Sequence, residues 1–278
     1  MNILLDLTLV LVFSLGVTGV ALATVFAQGC SWLFSLFYVN YRYPELRIRP
    51  FCFRFDRELF RQIIGIGVPA GIQTAMQAVG VMAVMSKANS YGEAFMGGYN
   101  VGSKIDSVTF LFIQCVSSAV TAFVGQNVGA RKLDRVQKGI GIAVGMTVAW
   151  CFFTMALVVP FRSQLVSVFS PDPEVIYAGS CYLRAVMLAY PLFAVMFTMN
   201  AALRGTGDSL FPMVTVVISM IVLRVPCVYW FADTYGAGAM FWGFVPGWAV
   251  GAAMSLFDYF SGRWKRFLPR TEEADRGQ

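Results

Sequence analysis

The chain has 278 residues, 58% of them hydrophobic and only 13% charged, with a net charge of +6 and no His. A water-soluble domain carries roughly a quarter charged residues, so a soluble globular fold is excluded. Without His there is no imidazole for acid–base catalysis, metal ligation or haem ligation.

In chain order, the first apolar run is Ile3–Phe13, shorter than the ~20 residues that cross a bilayer core as a helix. No basic segment precedes it, so it does not read as a signal peptide. It ends at Ser14-Leu15-Gly16, and a run from Val17 to Tyr38 that is long enough to span follows. Next come Arg42, Arg47, Arg49, Arg54, Arg57 and Arg61, broken by Pro44 and Pro50. Phe51, Phe53, Phe55, Leu59 and Phe60 interleave with these arginines, which predicts a linker at the lipid headgroup level rather than a plain solvated loop. Six further spans are predicted at Gln62–Met85, Ala94–Val124, Lys138–Phe161, Glu174–Leu203, Leu210–Ala232 and Gly238–Ser261. Two exceed the minimal length, so tilt or a kink is expected in them. The alternating ~10-residue strands of a membrane β-barrel do not occur. The fold class is an all-α, polytopic membrane bundle of about eight helices, the first of them partial.

Lys and Arg alternate between successive connections. Arg131, Lys132, Arg135 and Lys138, then Arg204, then Arg263, Lys265, Arg266 and Arg270 fall on the side of the 42–61 arginines. The opposite turns are poorer: Lys87 with Glu93, Arg162 with Asp172 and Glu174, and Asp233. The positive-inside rule makes the linker and the C-terminus cytoplasmic. These segments account for the positive charge, so no nucleic-acid partner is inferred. Cys30, Cys52, Cys115, Cys151, Cys181 and Cys227 form no CxxC pair and read as small buried hydrophobes. A faint internal repeat relates Asn2–Phe13, the turn Gly16–Gly19 and the span after it to Arg224–Ala232, the turn Tyr235–Gly238 and the last span. Transporters are often built from such repeats, although two unrelated hydrophobic hairpins give the same plan.

Ionisable residues inside spans are the default functional candidates, because an unpaired charge in hydrocarbon costs about 3 kcal/mol or more. Lys104 and Asp106 lie well inside a long span. Two residues apart on a helix, they point in different directions, one toward a cleft and one toward a neighbouring helix. Snorkelling or an intrahelical bond is an equal alternative for Lys104. Arg184 and Arg224 lie nearer span ends and read as structural. The amides Gln73, Gln77, Asn100, Gln114 and Asn200 each need a hydrogen-bond partner inside the membrane. Gln73 with Gln77, and Asn100 with Lys104, share helix faces at a spacing of four. An amide-lined cleft with Phe, Met and Tyr around it suits flat lipophilic cations. Most of the Phe and Met residues are expected to pack or to face lipid.

Several strings go beyond composition. Asn2-Ile3-Leu4-Leu5-Asp6 with Ala21-Leu22-Ala23-Thr24, Gly67-Val68-Pro69-Ala70-Gly71, Val124-Gly125-Gln126-Asn127-Val128-Gly129-Ala130, Leu203-Arg204-Gly205-Thr206-Gly207-Asp208 with Pro212, and Arg224-Val225-Pro226 occur in that order. Together they resemble the multidrug and toxic compound extrusion (MATE) family over nearly the whole chain, up to about Phe267. The Gly-rich strings also read physically. Gly125 with Gly129, and Gly205 with Gly207, flank helix ends, where glycine adopts positive φ. Asp208 caps the next helix, and Arg204 is a candidate partner for Asp208. These residues, with Pro69 and Gln126, read as structural loop motifs.

The resemblance implies twelve helices in two six-helix lobes around a cleft. This chain would correspond to the second half of the fifth helix through the twelfth, without the first four. It implies an end of the N-terminal lobe at 1–41, a cytoplasmic basic linker at 42–61, a C-terminal lobe at 62–266 and a polar tail at 267–278. The implied function is a secondary antiporter, not an enzyme, that exports organic cations or drugs in exchange for Na⁺ or H⁺ by alternating access. No organic cofactor or metal is implied. The partners would be a bacterial inner-membrane bilayer and small organic cations, with the complete protein a monomer. Where some family members carry acidic residues on the seventh and tenth helices, this chain has Gln77 and Phe193. Coupling is therefore expected to belong to the lobe that is mostly outside this chain, unless Asp106 serves. A lipid-linked oligosaccharide flippase, with a more Arg-rich cavity, and a non-transporting fragment are the alternatives.

Overall fold

A computed structural model describes residues 1–44 and 55–264. Arg47, Arg49 and Arg54 of the basic linker, with its interleaved Phe51 and Phe53, lie outside the described residues, as does the tail at 267–278. The helices are α1 (Asn2–Val12), α2 (Gly16–Arg42), α3 (Arg57–Asn89), α4 (Glu93–Gly129), α5 (Leu133–Val158), α6 (Arg162–Ser167), α7 (Pro173–Gly205), α8 (Leu210–Tyr235) and α9 (Ala237–Phe260). Seven of them, all but α1 and α6, are long and apolar enough to cross a membrane. Arg42 closes α2 and Arg57 opens α3. The arginines at both edges of the predicted linker are thus helical, because each helix runs on past its apolar stretch.

The chain divides into two compact units, Met1–Arg57 and Glu58–Gln278. In the first, α1 and α2 form a hairpin. The connection bends at Ser14 (φ 51°) and Gly16 (φ 54°). The bend is therefore one residue run earlier than the expected Gly16–Gly19 turn. Gly19 is already helical and packs against Leu9.

The second unit is organised around α7. Most of the apolar stretch of α7 is buried, against about a quarter for α4 and α5. The outer surface of the unit is apolar too: Val108, Phe152, Leu157 and Phe257 are all more than half exposed. Lipid tails are as apolar as Leu, so hydrophobicity does not drive these helices together; close packing at small residues does. A Cβ at Gly98 of α4 would overlap backbone atoms of Val175 and Gly179 on α7, and a Cβ at Gly205 would lie 2.7 Å from the Thr121 carbonyl oxygen. Gly247 and Gly251 of α9 make equally close approaches to Ser219, whose Oγ donates to the Gly247 carbonyl at 2.7 Å.

Of the two long spans in which tilt or a kink is expected, α4 runs as one α-helix without a proline, and α7 carries Pro191 inside it while staying helical. α8, not one of the two, widens to a π turn at Ile218–Leu223 just before Pro226. Proline lacks the N–H that its predecessor four residues back would bond, and a π turn is a common local adjustment. Gly125 and Gly129 do not turn the chain as expected. Both lie inside α4, and Arg131 takes the left-handed conformation with φ 56°. Gly207 does take it, with φ 100°, whereas Gly205 is a helical contact residue. Cys151 is buried as expected, but Cys115 is exposed.

Gly98 and its neighbour Gly97 give a direct test. A Cβ at Gly97 meets only the Val175 side chain at 3.6 Å. Gly98→Ala is expected to destabilise the purified protein by about 1–3 kcal/mol through overpacking, read as a clear fall in thermal midpoint. Gly97→Ala is expected to leave the midpoint nearly unchanged. Equal behaviour of the two would refute backbone contact between α4 and α7 as the organising feature.

Candidate functional site

The second unit forms a half-open cavity of about 270 Å³ between α3, α4, α7, α8 and α9. α7 supplies one wall through Tyr182, Val186, Tyr190 and Phe193, a stripe at helical spacing. α9 adds Phe244 and Trp248, and α4 adds Tyr99 and Phe110. The rings pack on one another: Tyr190 stacks on Trp248 at 5.7 Å, and Phe193 lies 5.0 Å from Trp248 between centroids. Such pairs add about 0.5–1.5 kcal/mol each beyond area burial and make the wall stiff.

Asp106 is the one carboxylate that lines the cavity among the described residues. It is buried, and its Oδ2 accepts the Tyr182 hydroxyl at 2.6 Å. Tyr190, two turns further along α7, lines the same cavity. The Tyr182 hydroxyl stabilises the carboxylate without neutralising it.

Arg224 is the basic residue of the same cavity. Its side chain is 6% exposed. The guanidinium carbon sits 3.9 Å above the Phe244 ring, and Nη1 approaches the Met220 sulfur at 3.4 Å. Nε has no hydrogen-bond partner, and no described carboxylate comes within 4.0 Å of the group. The cavity therefore holds one negative and one positive group that do not form an ion pair. Arg224 was expected to be structural from its position near a span end; the fold instead brings it to the cavity wall.

Of the residues singled out in the sequence, Gln77 and Asp106 line this cavity. Gln73 is buried one turn away on α3, where its Oε1 accepts Arg204 Nη1 at 3.2 Å. Arg204 thus bonds Gln73 instead of Asp208, while Asp208 Oδ1 caps α8 by accepting the amides of Leu210 and Phe211, each at 3.1 Å. Asn200 is fully buried elsewhere, and its Oδ1 accepts Ser255 Oγ at 3.0 Å, tying α7 to α9. Asn100, Lys104 and Gln114 are exposed on the outside of α4, so Lys104 and Asp106 point apart as their spacing requires. Pro69 is buried inside α3, and Gln126 is exposed near the end of α4. Sequence reasoning did not find Tyr99, Tyr182, Tyr190 or Trp248. Phe193, noted only as standing where relatives carry an acid, is also in the wall.

The Tyr182–Asp106 bond has a measurable consequence. A hydrogen bond to a charged group contributes about 1.5–3 kcal/mol. Tyr182→Phe is expected to destabilise the protein by about that much when Asp106 is present and by clearly less in the Asp106→Asn background. A double-mutant cycle on unfolding midpoints reads the difference, and strict additivity would rule out the coupling.

A family model described as MatE matches residues 69–230. "Probable multidrug resistance protein YpnP" of Bacillus subtilis (strain 168) is 30% identical over 275 residues, covering 98% of this chain and 61% of that protein. "Probable multidrug resistance protein NorM" of Thermotoga maritima is 24% identical over 263 residues, covering 93% of this chain and 56% of that protein. Among solved structures, "Crystal structure of MATE in the straight conformation" superposes with a TM-score of 0.85 at 20% identity, over 96% of this chain and 60% of that one. "Outward-facing conformation of a multidrug resistance MATE family transporter of the MOP superfamily" gives 0.83 at 19% identity, over 96% and 60%. The chain thus spans about 61% or less of the length of these proteins.

Proposed function

The chain belongs to the MatE family, and on that premise we propose that it serves the export of small organic cations or drugs across a bacterial membrane by exchange for Na⁺ or H⁺. The observation that carries the reading is the cavity. It is a chamber walled by stacked rings with a single carboxylate, and it combines apolar area, cation–π faces and one fixed negative charge. A flat cation enters between the Tyr99, Phe244 and Trp248 rings, and Asp106 supplies its counter-charge. When Na⁺ or H⁺ neutralises Asp106, that attraction is lost and the cation leaves. Binding of the ion and of the cation thus exclude each other, which is the requirement for antiport.

This assigns Asp106 the coupling role that the sequence left to the other lobe. Arg224 sharpens the exchange, because a positive group in the same chamber weakens cation binding as soon as Asp106 is neutral. A flippase for lipid-linked oligosaccharide calls for several arginines in the cavity, and the described lining holds Arg224 alone. That observation favours the cation reading.

Binding is tested on the purified chain with ethidium, followed by fluorescence anisotropy. Asp106→Asn is expected to weaken ethidium about tenfold or more, as loss of a buried counter-charge implies. Undiminished binding would remove the cavity as the cation site. Exchange is tested in everted vesicles from cells that make the chain. Addition of Na⁺, or collapse of a proton gradient, is expected to change ethidium accumulation, and the Asp106→Asn vesicles should not respond. Vesicles indifferent to both ions would favour a chain that does not transport by itself.

A further inference from the structure

On the side of α7 turned away from the cavity, Tyr177, Cys181 and Arg184 follow one another at helical spacing, with Leu188 next and 43% exposed. These first three line a recess of about 400 Å³ with Arg162, Ser163 and Ser180. The two serine hydroxyls lie 3.2 Å apart. Arg162 Nη1 donates to the Val159 carbonyl at 2.7 Å, and its other donors are not spent on a carboxylate. Among the described residues, neither Arg162 nor Arg184 has a carboxylate within 4.0 Å. Asp172 and Glu174, the acids nearest in sequence, do not line the recess; Asp172 Oδ1 accepts the Glu174 amide at 2.8 Å.

Two guanidiniums without a counter-charge are costly beside lipid. Their place near one end of the bundle says what resolves the cost. α5 ends at Val158, and Arg162 opens α6 just beyond it. α7 is 33 residues long, about 50 Å, whereas the hydrocarbon core is about 30 Å thick. The helix therefore exceeds the core by about 20 Å over its two ends. Arg184 lies about 16 Å along it from Pro173, within reach of the headgroup level for a long side chain. Phe161 and Tyr177, both more than half exposed, flank the recess as interfacial aromatics do. Arginine forks match the paired oxygens of a phosphate, and the serine and tyrosine hydroxyls supply further donors. Leu188 continues the stripe toward the membrane interior, where an acyl chain lies.

We propose that this recess binds the phosphodiester headgroup of an anionic phospholipid from the surrounding bilayer, with Arg162 and Arg184 as its ligands. The site goes beyond cation export and does not rest on it.

The test uses the purified full chain in neutral detergent, with bound lipid counted by native mass spectrometry. Phosphatidylglycerol is expected to bind and to raise the thermal midpoint, with phosphatidylcholine clearly weaker. Arg162→Gln/Arg184→Gln is expected to weaken phosphatidylglycerol about tenfold or more. Arg131→Gln/Arg135→Gln, exposed on the turn after α4 and the first turn of α5, should leave it unchanged. Undiminished binding to the first pair, or an equal loss in the second, overturns the site. Inorganic phosphate that displaces the lipid and reproduces its thermal shift overturns the lipid as the source of the oxyanion. If the double variant does not fold, Arg184→Gln alone, at an exposed position, is read the same way, with an expected loss of about fivefold; no loss overturns the proposal.

Discussion

The site depends on one contact between α4 and α7. Gly102 has no side chain, and the Tyr182 ring lies where its Cβ would be, with Cδ1 2.6 Å from that position. One turn further along the same face of α4 is Asp106. The ring that fills the place left by Gly102 therefore delivers its hydroxyl to the Asp106 carboxylate at 2.6 Å. A larger residue at 102 would push the ring off α4 and leave a carboxylate buried without its partner, a cost far above that of the steric overlap itself. Helix packing and the chemistry of the cavity are in this way one constraint. The glycines that let α4 and α7 touch also place the tyrosine that holds the charge.

Other charges of the second unit are also compensated. At one end of the bundle, half-buried Lys87 meets exposed Asp233, Nζ to Oδ1 at 2.6 Å, and lies over the rings of Tyr91 and Tyr229. Lys87 and Asp233 come from two connections that the charge count placed on one side of the membrane, and their bond puts the ends of α3 and α8 together. Gln73 and Arg204 make the corresponding link near the other end of α3. Arg224 is less well compensated. Its partners are a ring face and a thioether, and its Nε is unsatisfied, as are Asp208 Oδ2 and Asp258 Oδ2. Arg224 differs from those two in lining the cavity, where a bound molecule has access to it.

The helices were legible because a bilayer demands long apolar runs, and the predicted spans fall on the observed ones to within a few residues at most ends. The same demand hides the site. In water, the polar face of a helix marks its outside and the apolar face its core. In lipid both faces are apolar, so Tyr182, Tyr190 and Phe193 in the cavity wall look in sequence like Leu188 on the outside. For the same reason Asn100, Lys104 and Gln114, polar residues within a span, drew attention although they lie on the exposed side of α4. Asp106 was legible because a carboxylate inside a span has few uses. Arg224 was not, because a position near a span end reads as structural; the π turn just before it is a backbone feature that no residue type announces, apart from the nearby Pro226.

The proline of α7 and the π turn of α8 also bear on where the cavity sits. Pro191 leaves the carbonyl of Met187 without its helical donor, and Met187 is fully buried. A carbonyl freed in this way is tolerated within a membrane only inside protein or beside a cavity. Pro191, through which α7 stays helical, lies between Tyr190 and Phe193, both in the cavity wall, and the π turn of α8 ends at the residue before Arg224. The two helices with a missing or shifted backbone bond therefore both line the chamber. Two uninterrupted helices in their place would present no free carbonyl to it, and these local adjustments supply polar backbone beside a polar site in an otherwise apolar bundle.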